Sequence, residues 1–418
     1  MCHGDSSITV GSMINDRVQA SDQLACEHYQ HGRYFQALEQ NYCTAGILGH
    51  VSASIAKNSA ACYSRLFEPQ QAITWMKKYL DLSGSTTPQD LREFANYHAQ
   101  AGLLDQAQTV IQSIKPDCFE KYHDLSLHLF RRSQWQQAFQ SLSLGKQLGN
   151  NLWIGATRWQ QLPQCARWQG QDLANKKICL VGECGLGDEL IFARWIPQLL
   201  EHTTDVFYLT DNSLEQVFVY NWPQLKIHST SQQYDFWLPT MDLPLALKSY
   251  DPKRSGGYIQ PHVDYQNKWR KLLPQGPVFA VNWTGSRNYS ENQFRNIDIH
   301  LLVKYLEPHG TVVNVCMETA DNPPGVVDIR PHIKNWQDTL ALLSLCNRVF
   351  SSCSSVAHAA GAIGQAANVY TRPDDYFTWN STPSGQPCVW HPSVTVWRTK
   401  KIGYWQEIIH ESFQHTQL

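Results

Sequence analysis

The chain has 418 residues, 42% hydrophobic and 17% charged, which is enough to bury a sizeable core and to form two or three domains. A formal charge of -2 and a pI near 6.8 give no field that would gather nucleic acid or an anionic membrane surface. No run of 18 apolar residues exists, and the first residues, MCHGDSSITV, show no basic segment followed by an apolar core, so neither a membrane span nor a secretory signal is expected. Twelve cysteines without a C-x-x-C pair fit reduced thiols in a cytoplasmic protein better than a disulfide framework or a zinc site, and the 17 histidines form no H-E-x-x-H.

Residues 1–150 are organised by self-similarity. ACEHYQHGRYFQA, with Ala25, Gly32, Tyr34 and Ala37, recurs as AACYSRLFEPQQA with Ala60 and Ala72, and as ANYHAQAGLLDQA with Ala95, Gly102 and Ala107. A fainter copy, SLHLFRRSQWQQA, carries Ser126, Trp135 and Ala138. The closing alanines lie 35, 35 and 31 residues apart, and a small residue precedes each by 12 positions. Two antiparallel helices that cross closely need that pairing. The pattern resembles the tetratricopeptide repeat, and any array of helical hairpins would give a similar shape. A helical solenoid is expected, with a concave face able to hold a peptide or another subunit.

A connector rich in Trp and Gln follows at about 145–177. Trp153, Trp159 and Trp168 are too many large apolar groups for a free linker, so it is expected to pack irregularly on the next domain. From residue 178 strands and helices alternate, the pattern of a mostly parallel sheet. Strands are predicted at 178–181, 205–209, 225–228, 278–283, 311–315 and 348–352, with a last one ending at Tyr370. The stretch 234–247, YDFWLPTMDLPLAL, reads as a Pro-rich turn. Helices are predicted near 298–307, 336–346 and 355–363, with a closing helix in GYWQEIIHESF after an irregular Trp-rich stretch. Two successive α/β sets joined near 255–275 imply two Rossmann-like halves with a cleft between them, at 151–268 and 269–418.

Three stretches of the α/β part look chemical. In ICLVGECGLGDELIFARWIP, residues 178–197, a short apolar strand runs into glycines at 182, 185 and 187, and Leu190, Ile191 and Trp195 then repeat at helical spacing. Asp188 therefore stands at or near a helix N-terminus, at the carboxyl end of a sheet, where Gly185 and Gly187 leave the backbone open to a ligand. Asp188 reads as a cleft-facing carboxylate or as a plain helix cap. The glycine spacing matches neither G-x-G-x-x-G nor a P-loop. In NWTGSRNYSENQFRNID, Arg287 and Arg295 are expected at one cleft edge, where an arginine fork suits a diphosphate. Either arginine could equally be solvated surface. In SSCSSVAHAAGAIG, Ser354 or Ser355 caps a small-residue helix whose free N–H groups form an anion site. His358 lies one turn inside, facing that site or packed in the core.

With those residues in hand, GECGLGDELIFARWIPQL resembles the G-E-x-G-L-G-D-x-x-x-F-x-R-Y-x-P-x-L signature of tetratricopeptide-repeat glycosyltransferases related to the bacterial ADP-heptose transferases. The likeness continues through RWQQLPQCARWQGQDLANKK, YDFWLPTMDLPLAL, WTGSRN with QFRNI, DTLALLSLCNRVFSSCSSVAHAAGAIG and WHPSVTVWR, in unbroken order over about 155–418. The resemblance implies a helical solenoid followed by a GT-B pair of Rossmann-like domains, with the acceptor on the first half and the nucleotide sugar on the second. It implies Asp188 as general base, Arg295 and Arg287 at the basic position on the donor phosphates, and Ser354, Ser355 and His358 around the diphosphate and sugar. One departure stands out: Cys353 occupies the place where the family usually has Asp, which removes the expected contact to a sugar hydroxyl.

The function this implies is transfer of a sugar from a nucleotide diphosphate donor to a hydroxyl acceptor (a protein, a glycan or another), with the helical repeats as a candidate site for a protein or glycan acceptor. Inversion is expected at the anomeric carbon, with no metal and no cofactor beyond the nucleotide sugar. A helix N-terminus would lower the pKa of Asp188 and weaken it as a base. Two other functions remain open on the sequence: a repeat-based adaptor that no longer catalyses, which Cys353 favours, and nucleotide-sugar hydrolysis or epimerisation.

Overall fold

The structure, a computed structural model, describes residues 6–149, 156–253, 257–289, 291–374, 376–401 and 403–416. Residues 1–5, from which the absence of a leader was expected, and Trp153 of the connector lie outside the described residues. The chain divides into two compact units, Met1–His128 and Leu129–Leu418. The sequence places that boundary near 150.

The first unit is helical: α1 (Ser6–Gln30), α2 (Tyr34–Leu48), α3 (Ala53–Arg65), α4 (Pro69–Ser83), α5 (Pro88–Gln100), α6 (Leu104–Ser113) and the start of α7 (Phe119–Arg131). Consecutive helices pack as α1 on α2, α3 on α4 and α5 on α6, with α2 on α3 and α4 on α5 joining the hairpins. The small residues picked out by the repeat are the buried ones: Ala25, Ala37, Ala60, Ala72, Ala95 and Ala107 are at most 3% exposed. Large side chains there would hold the helix axes apart. The turns repeat as well. Gly32, Phe67, Gly102 and Ser133 are all left-handed, with φ of 73°, 57°, 75° and 57°. At each, the residue and its successor donate back into the last turn of the preceding helix, from Gly32 to Tyr29 and from Arg33 to His28 in the first copy. These are tetratricopeptide-like helical hairpins. Lys57 and Asp90, 2.6 Å apart, tie α3 to the start of α5, where Thr87 and Asp90 form a capping box.

The second unit begins with the end of α7 and α8 (Trp135–Gly149), followed by α9 (Ala156–Trp159). Its first sheet contains β1 (Ala166–Arg167), β2 (Ile178–Val181), β3 (Val206–Leu209), β4 (Lys226–Ile227) and β5 (Phe236–Pro239), all parallel, in the order β1-β5-β2-β3-β4. The helices of this half are α10 (Leu186–Phe192), α11 (Ile196–Leu200), α12 (Glu215–Asn221) and α13 (Leu243–Ala246). The second sheet contains β6 (Val278–Asn282), β7 (Thr311–Asn314), β8 (Val326–Asp328), β9 (Arg348–Ser352), β10 (Ala367–Thr371), β11 (Gln386–Pro387) and β12 (Val394–Arg398), in the order β11-β12-β10-β9-β6-β7-β8. Only the β11–β12 pair is antiparallel. Its helices are α14 (Val263–Leu272), α15 (Ile299–Leu306), α16 (Trp336–Leu345), α17 (Ser355–Ala362), α18 (Phe377–Asn380) and α19 (Trp405–His415).

β2, β3, β6 and β10 are buried at every position, because a parallel sheet covered on both faces takes continuous apolar runs. The fold is thus helical repeats followed by two Rossmann-like α/β domains. Two strands differ from expectation. Residues 236–239 form β5, the direct neighbour of β2, inside the stretch expected to be a turn; Pro239 takes the last strand position, where a missing N–H costs little. Residues 394–398 form β12 beside β10, inside a stretch expected to be irregular. The expected division at 268 falls within α14, which packs on α16 of the second half.

The two halves meet through α10 and α17. A Cβ on Gly187 would lie 2.8 Å from His358 Cδ2 and 3.5 Å from Ser355 Cα, so only glycine allows this approach. Arg194, fully buried, adds a second tie: it donates to the carbonyl of Ile191 on its own side and to those of Pro252 and Trp390, at 2.6 Å and 2.7 Å. Its charge is spread over the rings of Trp195, Tyr258 and Trp390.

Candidate active site

The segments that follow β2, β6, β9 and β10 leave the carboxyl ends of their strands, where open α/β sheets place ligands. The segment after β2 carries three carboxylates within seven residues, and the structure separates their roles. Glu183 is buried and paired with Lys146 of α8 at 2.7 Å; Lys146 also reaches Asp242 at 3.2 Å, and Arg167 pairs with Asp242. Glu189 is buried and paired with Arg158 at 2.7 Å, and accepts from the Thr210 and Tyr208 hydroxyls and the Asp211 N–H. Both are neutralised structural groups, since an unpaired charge at such depth would cost several kcal/mol (roughly 3–5 when a partner is removed).

Asp188 differs. It occupies the third position of α10, and its Oδ2 accepts the Gly185 N–H at 3.1 Å, so it does serve the helix start. Its Oδ1 accepts the hydroxyl of Tyr376, which lies on the other half, between β10 and α18. No cation among the described residues pairs with it. Burial pushes its carboxyl up to about 6, against the pull of the Tyr376 hydroxyl and the Gly185 N–H. The sequence leads one to expect a value lowered by the helix start; loss of water outweighs that effect. Gly185 is exposed at the N-cap, whereas Gly187 is buried in the contact with α17 and lines no open surface.

On the second half, Ser354 is the backbone N-cap of α17, yet its hydroxyl is turned away from the helix. It accepts from Asn282 Nδ2 and lies against Ser351 Oγ, each at 3.0 Å. The Ser354 side chain makes no capping hydrogen bond to the first turn of α17. Ser355, the first helical residue, is partly exposed. Arg295 ends a short 3₁₀ turn, Asn292–Arg295, and donates from Nη1 to the Cys353 carbonyl at 2.9 Å and from Nε to Asn292 Oδ1 at 2.8 Å. Its guanidinium lies against Gly285 and 4.8 Å from the Tyr289 ring centre, with no carboxylate partner among the described residues. A cation with no carboxylate partner among the described residues therefore stands at the turn that opens α17.

Arg287 goes elsewhere. It is exposed and donates to the Glu318 carbonyl at 2.6 Å, so the two arginines have different neighbours and no fork is formed. His358 is buried, stacked on Trp379 with ring centres 4.5 Å apart, and 3.3 Å from His391 Nε2. Burial, with Arg194 nearby, pushes it down to about 3, so the ring is neutral and offers a phosphate no charge. Cys353 is buried and accepts the Trp379 indole N–H at 3.2 Å. Tyr376, Asn282 and Trp379 escape the sequence reading. They carry no motif of their own, and only the fold brings Tyr376 to a residue 188 positions earlier.

No protein-family model matches the chain. Among curated proteins it is 23% identical over 279 residues to Protein FlbA of Caulobacter vibrioides, a match that takes in 57% of this chain and 46% of that protein. The chain thus spans less than half the length of that relative. Among solved structures it is similar to a glycosyl transferase family 9 protein of Veillonella parvula, with 12% identity, 55% of this chain and 88% of that one covered, and a TM-score of 0.41. It is also similar to the iron-containing dodecameric glycosyltransferase TibC from enterotoxigenic E. coli, with 12% identity, 55% and 65% covered, and a TM-score of 0.40. The O-GlcNAc transferase of Thermobaculum terrenum matches over 96% of this chain and 89% of that one, at 9% identity and a TM-score of 0.33. Scores of this size leave activity, substrate and partners to be argued from the residues of the chain itself.

Proposed function

We propose that the protein is a glycosyltransferase that moves a sugar from a nucleotide diphosphate donor to a hydroxyl acceptor. One observation carries this reading: Asp188, a carboxylate with no cation partner among the described residues, sits one residue from the contact between its helix and the start of α17, beside which Arg295 has no carboxylate partner among those residues. Proton acceptance and diphosphate stabilisation are the two needs of such a transfer, and they fall on opposite halves.

In the transfer, the acceptor oxygen forms a bond to the anomeric carbon as its proton passes to Asp188. The bond from that carbon to the diphosphate oxygen breaks, and the electron pair leaves with the diphosphate. With its pKa near 6, Asp188 is ionised at neutral pH and more basic than an ordinary aspartate, which suits a general base. Arg295 and the N–H groups of the first turn of α17 receive the charge that grows on the leaving side. That pair supports a transfer without a metal, and a base on the half opposite the diphosphate site supports inversion. No cofactor beyond the nucleotide sugar is required. The helical repeats would present the acceptor, a protein or a glycan.

Cys353 favours a second reading, a non-catalytic adaptor, because its thiol is buried against Trp379 where the family's carboxylate would meet a sugar hydroxyl. A panel of nucleotide sugars tests both: binding is measured by calorimetry, then release of nucleoside diphosphate with and without candidate acceptors. Acceptor-dependent release supports transfer. No binding by any donor supports the adaptor, and fast acceptor-independent release supports a hydrolase.

A further inference from the structure

Among the described residues, Asp188 accepts the Gly185 N–H on Oδ2 and the Tyr376 hydroxyl on Oδ1, and its own backbone N–H also acts on the carboxylate. A carboxylate offers about four acceptor sites, so these donors fix its plane and leave room for an incoming hydroxyl. The Gly185 N–H belongs to the same helix start and moves with Asp188. Only Tyr376 comes from outside.

Tyr376 is itself well held. Its ring lies 4.4 Å from that of Phe377 and edge-on to His358 at 6.5 Å, while Phe377 and Trp379 behind it are buried. Phe377 stacks on Phe130 at 4.7 Å and meets Trp390 at 5.3 Å. Burial, with the Asp188 charge beside it, keeps the phenol well above its ordinary pKa, so it donates throughout the working pH range and never competes as a base. The other groups that act on Asp188 are Glu183 and Cys184 in its own turn, with Lys146 of α8 behind Glu183. His358, across α17, is neutral. None of these donates to the carboxylate.

We infer that Tyr376 is a positioning residue for the Asp188 base: its hydroxyl, carried by the nucleotide-side half, orients a carboxylate carried by the acceptor-side half. The inference rests on the glycosyltransferase reading of the site. It makes the orientation of the base depend on the half that holds the donor, through one hydrogen bond.

The test is Tyr376→Phe in the full chain, which keeps the ring packing and removes the donor. Loss of a hydrogen bond to a charged group should raise the Asp188 pKa by about one to two units. The shift is read directly by infrared titration of the carboxyl band that disappears in Asp188→Asn. In the transfer assay the acid limb of kcat/KM should move up by the same amount, with kcat lowered above the limb and nucleotide affinity unchanged. A merely structural tyrosine would leave both pH readouts in place. An unmoved carboxyl band overturns the inference whatever the assay shows. So does a moved band with unaltered transfer. If the wild-type chain transfers no sugar while the band still moves, the glycosyltransferase reading falls and the Tyr376–Asp188 pairing stands.

Discussion

α10 and α17 are the same device built twice: a central parallel strand, a short turn and a helix that starts at the carboxyl end of its sheet. The two starts are finished in opposite ways. At α10 the chain supplies its own acid, Asp188, which binds back to Gly185 and closes the helix end. At α17 the available side chain, Ser354, is drawn off by Asn282 and Ser351, a cation stands close by, and the end is left without a cap. A self-capped start holds a carboxylate in place, and an uncapped start holds a place for someone else's anion. In the proposed transfer, proton acceptance falls to the first half and diphosphate binding to the second.

Removing the acid from the first start should have the largest effect. Asp188→Asn is expected to lower transfer by about 10²- to 10⁴-fold with nucleotide affinity unchanged. Retention of a third of wild-type turnover would remove Asp188 from the chemistry. At the second start, Arg295→Ala should weaken nucleoside diphosphate binding by about 1.5–3 kcal/mol, measured by calorimetry. Arg287→Ala, which loses only a surface bond to the Glu318 carbonyl, should stay within about 0.5 kcal/mol of wild type. Equal losses would restore the arginine fork that the sequence leads one to expect.

A smaller effect comes from making the second start resemble the first. Ser355→Asp places an acid at the open end of α17. It should stabilise the helix by about 0.3–1 kcal/mol through the helix dipole, while repulsion weakens diphosphate binding at least about tenfold. Thermal unfolding and calorimetry on one sample read the two signs. Tighter diphosphate binding by this variant would place the anion elsewhere.

The sequence makes these two starts legible because both are local. Glycines after an apolar strand, an acid before helical spacing, and serines before a small-residue helix all lie within about 20 residues, and the structure puts β2, β9, α10 and α17 where those signals predict. The repeats are legible for the same reason, since Ala25, Ala37, Ala60 and Ala72 mark close helix crossings by spacing alone. β5 is missed because Pro239 ends it and Pro244 follows soon after, and because its apolar character reflects its neighbour β2 rather than its own pattern. The remaining misses depend on distant residues. That Arg295 turns to the Cys353 carbonyl and Arg287 to Glu318, that His358 stacks on Trp379, and that Tyr376 reaches Asp188 are facts of packing between segments with no shared motif. The raised pKa of Asp188 belongs with them: helix position is visible in sequence and says the value should fall, whereas desolvation is not visible and prevails.

That raised value implies a stability cost at the first start. The Asp188 carboxyl has a folded pKa of about 6 against an ordinary 3.8, so the folded chain binds this proton more tightly than the unfolded chain does. The sign follows: between about pH 4 and 6 the contribution of Asp188 to stability falls as pH rises, and above 6 it stays low. Asp188→Asn removes the charge that burial penalises. With the cost discounted for the partial exposure of Asp188, the variant should be more stable than wild type by on the order of 1–2 kcal/mol at pH 7.5 and nearly equal to it below about pH 3.5, where the carboxyl is protonated in the folded chain and mostly so in the unfolded one. Urea unfolding of both chains at the two pH values isolates this term, because every other titrating group is common to both. A chain that gains stability as it loses transfer would identify Asp188 as a residue kept for chemistry at the expense of the fold. If Asp188→Asn were the less stable chain at pH 7.5, the carboxylate would be holding α10 and the Tyr376 contact together, and its first role would be structural.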